Sequence, residues 1–563
     1  MSCSTATGRC YRKNSGSRTS CRKPSGCGTV TDSLLDSLLR GTMMFRVPLF
    51  RSIAVCCTAL VLAACGGTGV GTGTGPGGDP VAGGTAQILQ ISEPRTLDPV
   101  ALGNQWVINA VLGNALYGTL MVNNADSGAI EYSMATDFAT RDGGATFELT
   151  LRPDLRFSDG TALDAAAVKF NWDRFADPEN GSTYIEDAAV IASTAVVNPT
   201  TLRVTMRHPA PHFAYTIVES SMNWIASPQA LQPGRAEFDR NPVGAGPFTL
   251  QRWARQDVIE LVKNPNYWDA PKPYLDRIEL RTSGDSVQGY NTLVSGGSDV
   301  IISSNWGSIE KLKNQGFPTG VSPLHGGQHL SMNMRRAPFD DIRARRAVAA
   351  AVDVNALNLT IYNGSGELPT TLFRETSPYY APDLPLHTPD PETAQRLFDE
   401  LAAEGKPVKF TFTTTAQTEN RLLAESVQAQ LSAFGNVEVE VKVIDIIDLI
   451  KLRYTHDFDM MTGGAFFDDP EPRLGTAFHG DSSRNTAGIR DESLNEALDT
   501  GRTSTDVEQR KAAYRTVQER LIELMPAIFY TRTVAGAATG KNVGGLTMYG
   551  AGSVRPEELW IVE

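Results

Sequence analysis

From residue 390 onward the chain alternates helix-like and strand-like segments, and that order leaves few architectures open. Asp390 and Pro391 cap a segment with Ala394, Leu397, Phe398 and Leu401 on one face, closed by Gly405. Residues 408–412 read as a strand, 419–434 as a helix closed by Gly435, and 437–443 as a strand alternating with Glu and Lys. A short helix over 446–452 and a third strand over 458–462 follow. Parallel strands need long crossover connections, and helices supply them, so this order predicts a parallel sheet covered by helices. In such sheets ligands bind beyond the carboxyl ends of the strands. The third strand delivers Gly463, Gly464, Ala465, Phe466, Phe467, Asp468, Asp469 and Pro470 to that edge. The glycines permit close backbone approach, Phe466 and Phe467 offer flat apolar surface, and Asp468 and Asp469 offer charge. Ligand contact, helix capping near Glu471 and Pro472, and catalysis are the three readings of the acid pair; ligand contact is preferred.

A second region is built differently. Residues 241–281 read NPVGAGPFTLQRWARQDVIELVKNPNYWDAPKPYLDRIELR. Gly244 and Gly246 allow a sharp turn, and Pro247 fixes φ at the start of the next segment. Phe248, Leu250 and Trp253 make a strand, Arg255 to Asp257 a polar turn, and residues 258–262 a second apolar run, together a hairpin. Ile278 and Leu280 alternate with charges as a third strand. No third glycine or following helix is present, so a phosphate loop is a poor reading.

This stretch resembles the NPVGTGPY…W…NPDYW…PxLDxIxxR signature of the family 5 extracellular solute-binding proteins, the peptide- and nickel-type receptors of ABC importers. Further segments are similar to the same family. Residues 92–99, SEPRTLDP, resemble its "PxTLDP", and 147–175, FELTLRPDLRFSDGTALDAAAVKFNWDRF, its "FTLRxGxxFxDGTPLTAxDVxFSxxR". The run His329 to Met334, then Pro338, Phe339, Asp340 and Asp341 before a helix, resembles "xFNxxxxPFxDxRVRxAxxxAID". The resemblance covers roughly residues 85–563. It implies an α/β, two-lobed periplasmic-binding-protein-like fold of type II with an extra small domain in the N-terminal lobe. The implied division is 85–122 first part of lobe I, 123–222 the extra subdomain, 223–325 second part of lobe I, 326–526 lobe II, and 527–563 a return to lobe I. Strand 527–530 would carry the chain back.

Peptide binders of this family often carry an Asp three residues before the Asp/Glu-Pro, where it pairs with the peptide's amino group. Phe466 stands there in this chain, so Asp468 would have to substitute from a neighbouring position. Exposed tryptophans beside turns can also line a cleft. Trp106, Trp224 and Trp306 therefore join Phe466, Phe467, Asp468 and Asp469 as the candidate ligand-binding set.

The amino-terminal segment reads as an address. Met44 to Arg51 is a short basic region, and residues 53–62 are an apolar run too short to span a bilayer. Leu62, Ala63, Ala64 and Cys65 resemble a bacterial lipobox, with Cys65 as the lipidated residue and 1–65 as the signal segment. Acylation contributes about 0.8 kcal/mol per buried CH₂, so a multiply acylated cysteine holds a protein at a membrane without a spanning helix. Residues 1–43 are Ser-, Arg- and Cys-rich and lack periodicity. They read as an upstream start with translation from Met43 or Met44, the alternative being an extended basic region. Residues 66–84 are a Gly-rich tether spanning about 25 Å.

Composition narrows the partners. All 7 cysteines lie at or before Cys65, so the mature fold has no internal disulfide or thiolate zinc site. The chain carries −12 overall, and the first 65 residues are basic, so the body is more acidic still. That argues against nucleic acid and anionic membrane surfaces as direct partners. No HExxH helix, P-loop or GxSxG turn occurs. His208 and His212 are separated by Pro209 and Pro211, and His325 and His329 flank Gly326 and Gly327 on a loop or strand. No catalytic residue, cofactor or metal is expected. The expected protein is a monomeric, lipid-anchored receptor on the outer face of the cell membrane. It would bind a small solute, with a peptide or peptide-like molecule preferred, and hand it to ABC permease subunits. The alternatives are a secreted cell-surface hydrolase and a signalling or adhesion lipoprotein.

Overall fold

The computed structural model describes residues 75–125 and 127–562. Cys65, the signal segment and the start of the tether lie outside the described residues. Two sheets organise the rest. The larger has seven strands in the order Thr319–Ser322, Ala535–Thr539, Val300–Ser303, Thr85–Gln90, Arg277–Thr282, Val258–Lys263 and Phe248–Ala254. Thr85–Gln90 runs parallel to both neighbours, and the hairpin read from 248–263 adds the antiparallel edge. Its inward residues, among them Ile88, Leu261, Ile278 and Val300, are at most 1% exposed.

The second sheet has five strands in the order Val437–Ile444, Val408–Thr415, Met460–Phe467, His325–Met332 and Ala527–Thr531. Its first three are parallel, as the alternation after residue 390 predicts. The helices Pro391–Ala403 and Thr418–Leu431 bury Phe398, Leu401 and Val427 in the core it shares with them. Asp390 caps the first of these by accepting from the Thr393 amide at 3.1 Å. A third, antiparallel sheet of four strands, Ala135–Ala139, Thr146–Leu151, Thr201–Met206 and Ile191–Asn198, is covered by helix Ala165–Ala176. That helix is capped by Asp164, which accepts from Ala167 N at 2.9 Å, and it buries Val168, Trp172 and Phe175.

Several local expectations change. Gly244 and Gly246 are needed for close packing rather than for a turn. A Cβ on them would lie 2.2 Å from the Leu116 carbonyl and 2.3 Å from that of Ala115, on helix Ala110–Tyr117. Helix Val507–Leu524 is capped by Asp506, which accepts from Gln509 N at 2.9 Å. The strand expected to end at Thr462 continues through Phe467, because it pairs along its length with His325–Met332, His325 opposite Phe467 and Met332 opposite Met460. The strand at 527 does not itself return to the larger sheet. It pairs with His325–Met332, and residues 532–534 make the crossing.

The chain thus passes between the two large sheets at 323–324 and again at 532–534. Arg532 holds both passages. Its side chain is 3% exposed, and its Nη1 and Nη2 donate to the carbonyls of Gly326 at 2.7 Å, Leu372 at 2.8 Å and Thr371 at 2.7 Å. Burial, with Arg374 nearby, pulls its guanidinium down to about 10. Gly326 sits at φ +65°, and a Cβ there would meet the Ala465 carbonyl at 1.9 Å. Replacing Arg532 with Met removes three hydrogen bonds to buried carbonyls, of which that of Leu372 keeps the Gly326 amide at 2.8 Å, and is expected to cost about 2 kcal/mol or more. Urea unfolding measures this, and a loss well under ~1 kcal/mol would show that the passage does not need the guanidinium.

Candidate functional site

The carboxyl edge of strand Met460–Phe467 meets the part of the chain that carries the small sheet. Side chains alternate along a strand. Ala465 and Phe467 therefore point into the core of lobe II, at 3% and 0% exposure, while Phe466 turns the other way. Phe466 packs edge-on against Trp106, ring centroids 5.3 Å apart at 72°. Trp106 is 3% exposed, and its indole Nε1 is buried without a hydrogen-bond partner among the described residues.

Beyond Phe466 the seam becomes polar. Asn123 Nδ2 donates to Asp468, and Asn123 Oδ1 accepts from the Gly550 amide at 2.6 Å. The Asp468 amide donates to Glu219 Oε1 at 3.4 Å. Arg473 donates from Nε to Glu219 Oε2 at 3.0 Å and from Nη2 to the Glu219 carbonyl at 3.1 Å. Glu219 is 2% exposed, so this is a buried ion pair between the two sides. Further out, His212 Nε2 lies 3.1 Å from the Ser504 carbonyl, and Arg484 donates to the Thr183 carbonyl at 2.7 Å. On the far edge Asn305 and Ser286 both donate to Glu419 Oε1, at 2.6 and 3.1 Å. A cavity of about 510 Å³ opens along the seam, lined from one side by residues 186–216 and from the other by residues 471–502.

The candidate set divides. Phe466, Trp106 and Asp468 meet at the seam. Phe467 does not: the strand extends past it, and the twofold period turns it inward against His325 and Phe373. Trp224 is also corrected. It is 0% exposed, its Nε1 donates to Asn114 Oδ1 at 2.9 Å, and it packs across Gly113. Trp306 donates from Nε1 to the Arg532 carbonyl at 2.9 Å and so braces the passage between sheets. Asp469 is occupied within its own lobe: it accepts from Arg510 at 3.3 Å and from the Glu471 amide at 3.0 Å. His325 and His329 lie on a strand, buried, and desolvation drives both rings down to about 3, hence neutral. Among the described residues no group of three His, Cys, Asp or Glu side chains could hold a metal ion.

Glu219, Glu471, Arg473 and Asp187 lie at the seam, and sequence reasoning does not single them out as candidate site residues. Glu219 has a readable signal: it is a lone acid in a long apolar and small-residue run, FAYTIVESSMNWIA. The others look like ordinary surface charges in sequence, and only the meeting of two distant segments buries them.

Burial raises Glu219 to about 7 against the pull of Arg473, and burial plus the Asp469 charge raises Asp468 to about 6. Glu219 is held against Arg473 in the closed seam, so Asp468 is the group that closure leaves to titrate. Opening the seam would return Asp468 to water and to ordinary carboxylate behaviour. Closure therefore takes up a proton between the ordinary range and about 6, and it is favoured at the acid end and weakened as pH rises through that window, by up to about tenfold per pH unit. Small-angle scattering of the solute-free protein should show expansion from about pH 4.5 to about pH 7 (roughly the span of this shift), flattened in Asp468→Asn. A radius that does not change with pH would contradict it.

A family model described as bacterial extracellular solute-binding proteins, family 5 middle, matches residues 129–485. The glutathione-binding protein GsiB of Salmonella paratyphi A is 29% identical over 355 residues, covering 62% of this chain and 67% of that one. Among solved structures, the periplasmic binding protein AgaA from A. tumefaciens R10, in complex with agropinic acid, superposes with a TM-score of 0.74 at 24% identity, covering 85% of this chain and 99% of that one. The periplasmic binding protein DppA from Helicobacter pylori, in complex with the peptide STSA, gives 0.74 at 22% identity, covering 85% and 98%. These likenesses show the two-lobed fold.

Proposed function

The chain belongs to the bacterial extracellular solute-binding proteins of family 5, whose members bind solutes rather than transform them, and we propose that it is the receptor of an ABC importer for a small peptide or peptide-like solute. The solute enters between the lobes, and closure of the seam captures it. Binding energy stabilises the closed form, and the permease reads that form. The observation that carries this is the seam itself: polar and charged groups of each lobe complete their partners on the other around a cavity of about 510 Å³. Small-molecule sites commonly occupy about 300–1,000 Å³. The Trp106 indole N–H, which does not line that cavity, is buried and without a partner among the described residues, and a peptide carbonyl reaching along the seam would supply its acceptor. GsiB and DppA bear names of peptide-type ligands, which supports that class.

No reaction is assigned to the protein. Cys65 would carry the lipid, the Gly-rich tether would let the body reorient at the membrane, and the permease would be its partner there. A seam completed within one chain supports action as a monomer.

Native mass spectrometry of the purified protein should find a retained solute, and scattering should show compaction when that solute is returned to emptied protein. A confirmed ligand that leaves the radius unchanged would rule out capture by closure. Cys65→Ser should move the protein from the membrane to the soluble fraction; persistence at the membrane after fractionation would exclude the lipid anchor.

A further inference from the structure

The cavity at the seam has a charge that its own side chains do not balance. Its lining includes five carboxylates, Glu186, Asp187, Glu471, Asp481 and Asp499, against one guanidinium, Arg502. Arg502 is already committed to Asp499, 2.6 Å away. Glu186 accepts from Ser483 and lies 4.0 Å from Arg484, and His479, also in the lining, stands 3.6 Å from Asp499. His212 is held neutral by burial, with Arg510 adding to the effect, so it supplies no compensating charge.

Two of the acids are buried and left short of partners. Asp187, on helix Ile185–Ala189, is 7% exposed, and neither carboxylate oxygen has a hydrogen bond or ion pair among the described residues. The arginines whose charge reaches it are engaged elsewhere, Arg473 with Glu219 and Arg484 with the Thr183 carbonyl. Glu471, from the opposite lobe, is 4% exposed. Its Oε1 accepts from the Tyr514 hydroxyl at 3.0 Å, while Oε2 has no described partner. Removing a carboxylate from water without a counter-charge is costly, and a protein keeps such groups where something charged arrives to meet them.

We propose that this cavity takes an organic cation, the ammonium or guanidinium group of the solute, with Asp187 and Glu471 as its counter-charges. The inference rests on the receptor reading above and adds the chemical class of the solute. One carboxylate stands on each lobe, so the cation completes both sides of the seam and favours its closure. Burial pushes both carboxyls above their ordinary range, Glu471 to about 7 with Asp469 adding to the rise, against the pull of Arg473 and Arg484 on Asp187 and of Arg502 and Arg510 on Glu471. An anionic solute group would meet repulsion in the same space, and a neutral one would leave the two acids without a counter-charge.

The test uses two matched peptide pairs on the mature protein, by calorimetric titration: trialanine against its N-acetyl form, and a glycine-flanked arginine tripeptide against its citrulline isostere. Removing the seated cation in at least one pair should weaken binding about tenfold or more. Asp187→Asn and Glu471→Gln should each abolish most of that preference. Asp187→Asn should also raise the melting temperature of the solute-free protein, by about 2 °C or more, because it removes an unpaired buried charge. Equal affinity within both pairs, absence of binding by all four peptides, a preference unchanged in both variants, or a lowered melting temperature for Asp187→Asn overturns the inference. Compaction on a neutral solute recovered from the protein would overturn it too, while leaving the receptor reading intact.

Discussion

The ion pair between Glu219 and Arg473 sets the terms for the whole seam. Two charges taken out of water are tolerated only when each finds the other at close range and the remaining valences are filled. Glu219 lies beside the small sheet and Arg473 follows the carboxyl edge of the five-stranded sheet, 254 residues later in the chain. Neither side can satisfy its charge alone while water is excluded. The same meeting brings Asn123 to Asp468 and seats Phe466 on Trp106. It also encloses the cavity lined by Asp187 from one side and Glu471 from the other. The seam is therefore a place where contact between lobes and the state of charge are one problem.

Strand geometry decides which residues take part. The pairing of Met460–Phe467 with His325–Met332 carries the strand five residues past Thr462. Alternation then assigns Phe466 to the seam and Phe467 to the core. A strand that ended earlier would have left both rings free. Arg532 and the glycines at 326–327 work on the other side of this strand. They let the chain cross between the sheets at two places, each crossing taking only two or three residues, with three carbonyls paired to a single guanidinium. Two short passages tied together in this way suit the hinge closure proposed above.

Much of the architecture is legible in the sequence. The alternation after residue 390 gives three parallel strands, and the hairpin and third strand of 248–282 pair as their apolar periodicity requires. Asp164 and Asp390 cap the helices they precede. These features are local: side-chain period, turn residues and caps act over a few residues, so a short window holds the information. The candidate site is legible only in part. The sequence points to the edge near Phe466 and Asp468, where distant parts of the chain meet. It cannot tell Phe466 from Phe467, nor show that Asp469 is engaged by Arg510 and Trp306 by the Arg532 carbonyl.

What the chain's residues determine alone is therefore most of the secondary-structure elements and their order. What only the tertiary structure decides is which charges are buried and against what. Asp187, Glu219, Glu471 and Arg473 read as ordinary polar residues until segments 186–219 and 471–473 come together. The physical reason is that desolvation and pairing are properties of the space around a group, and that space is made here by parts of the chain some 250 residues apart.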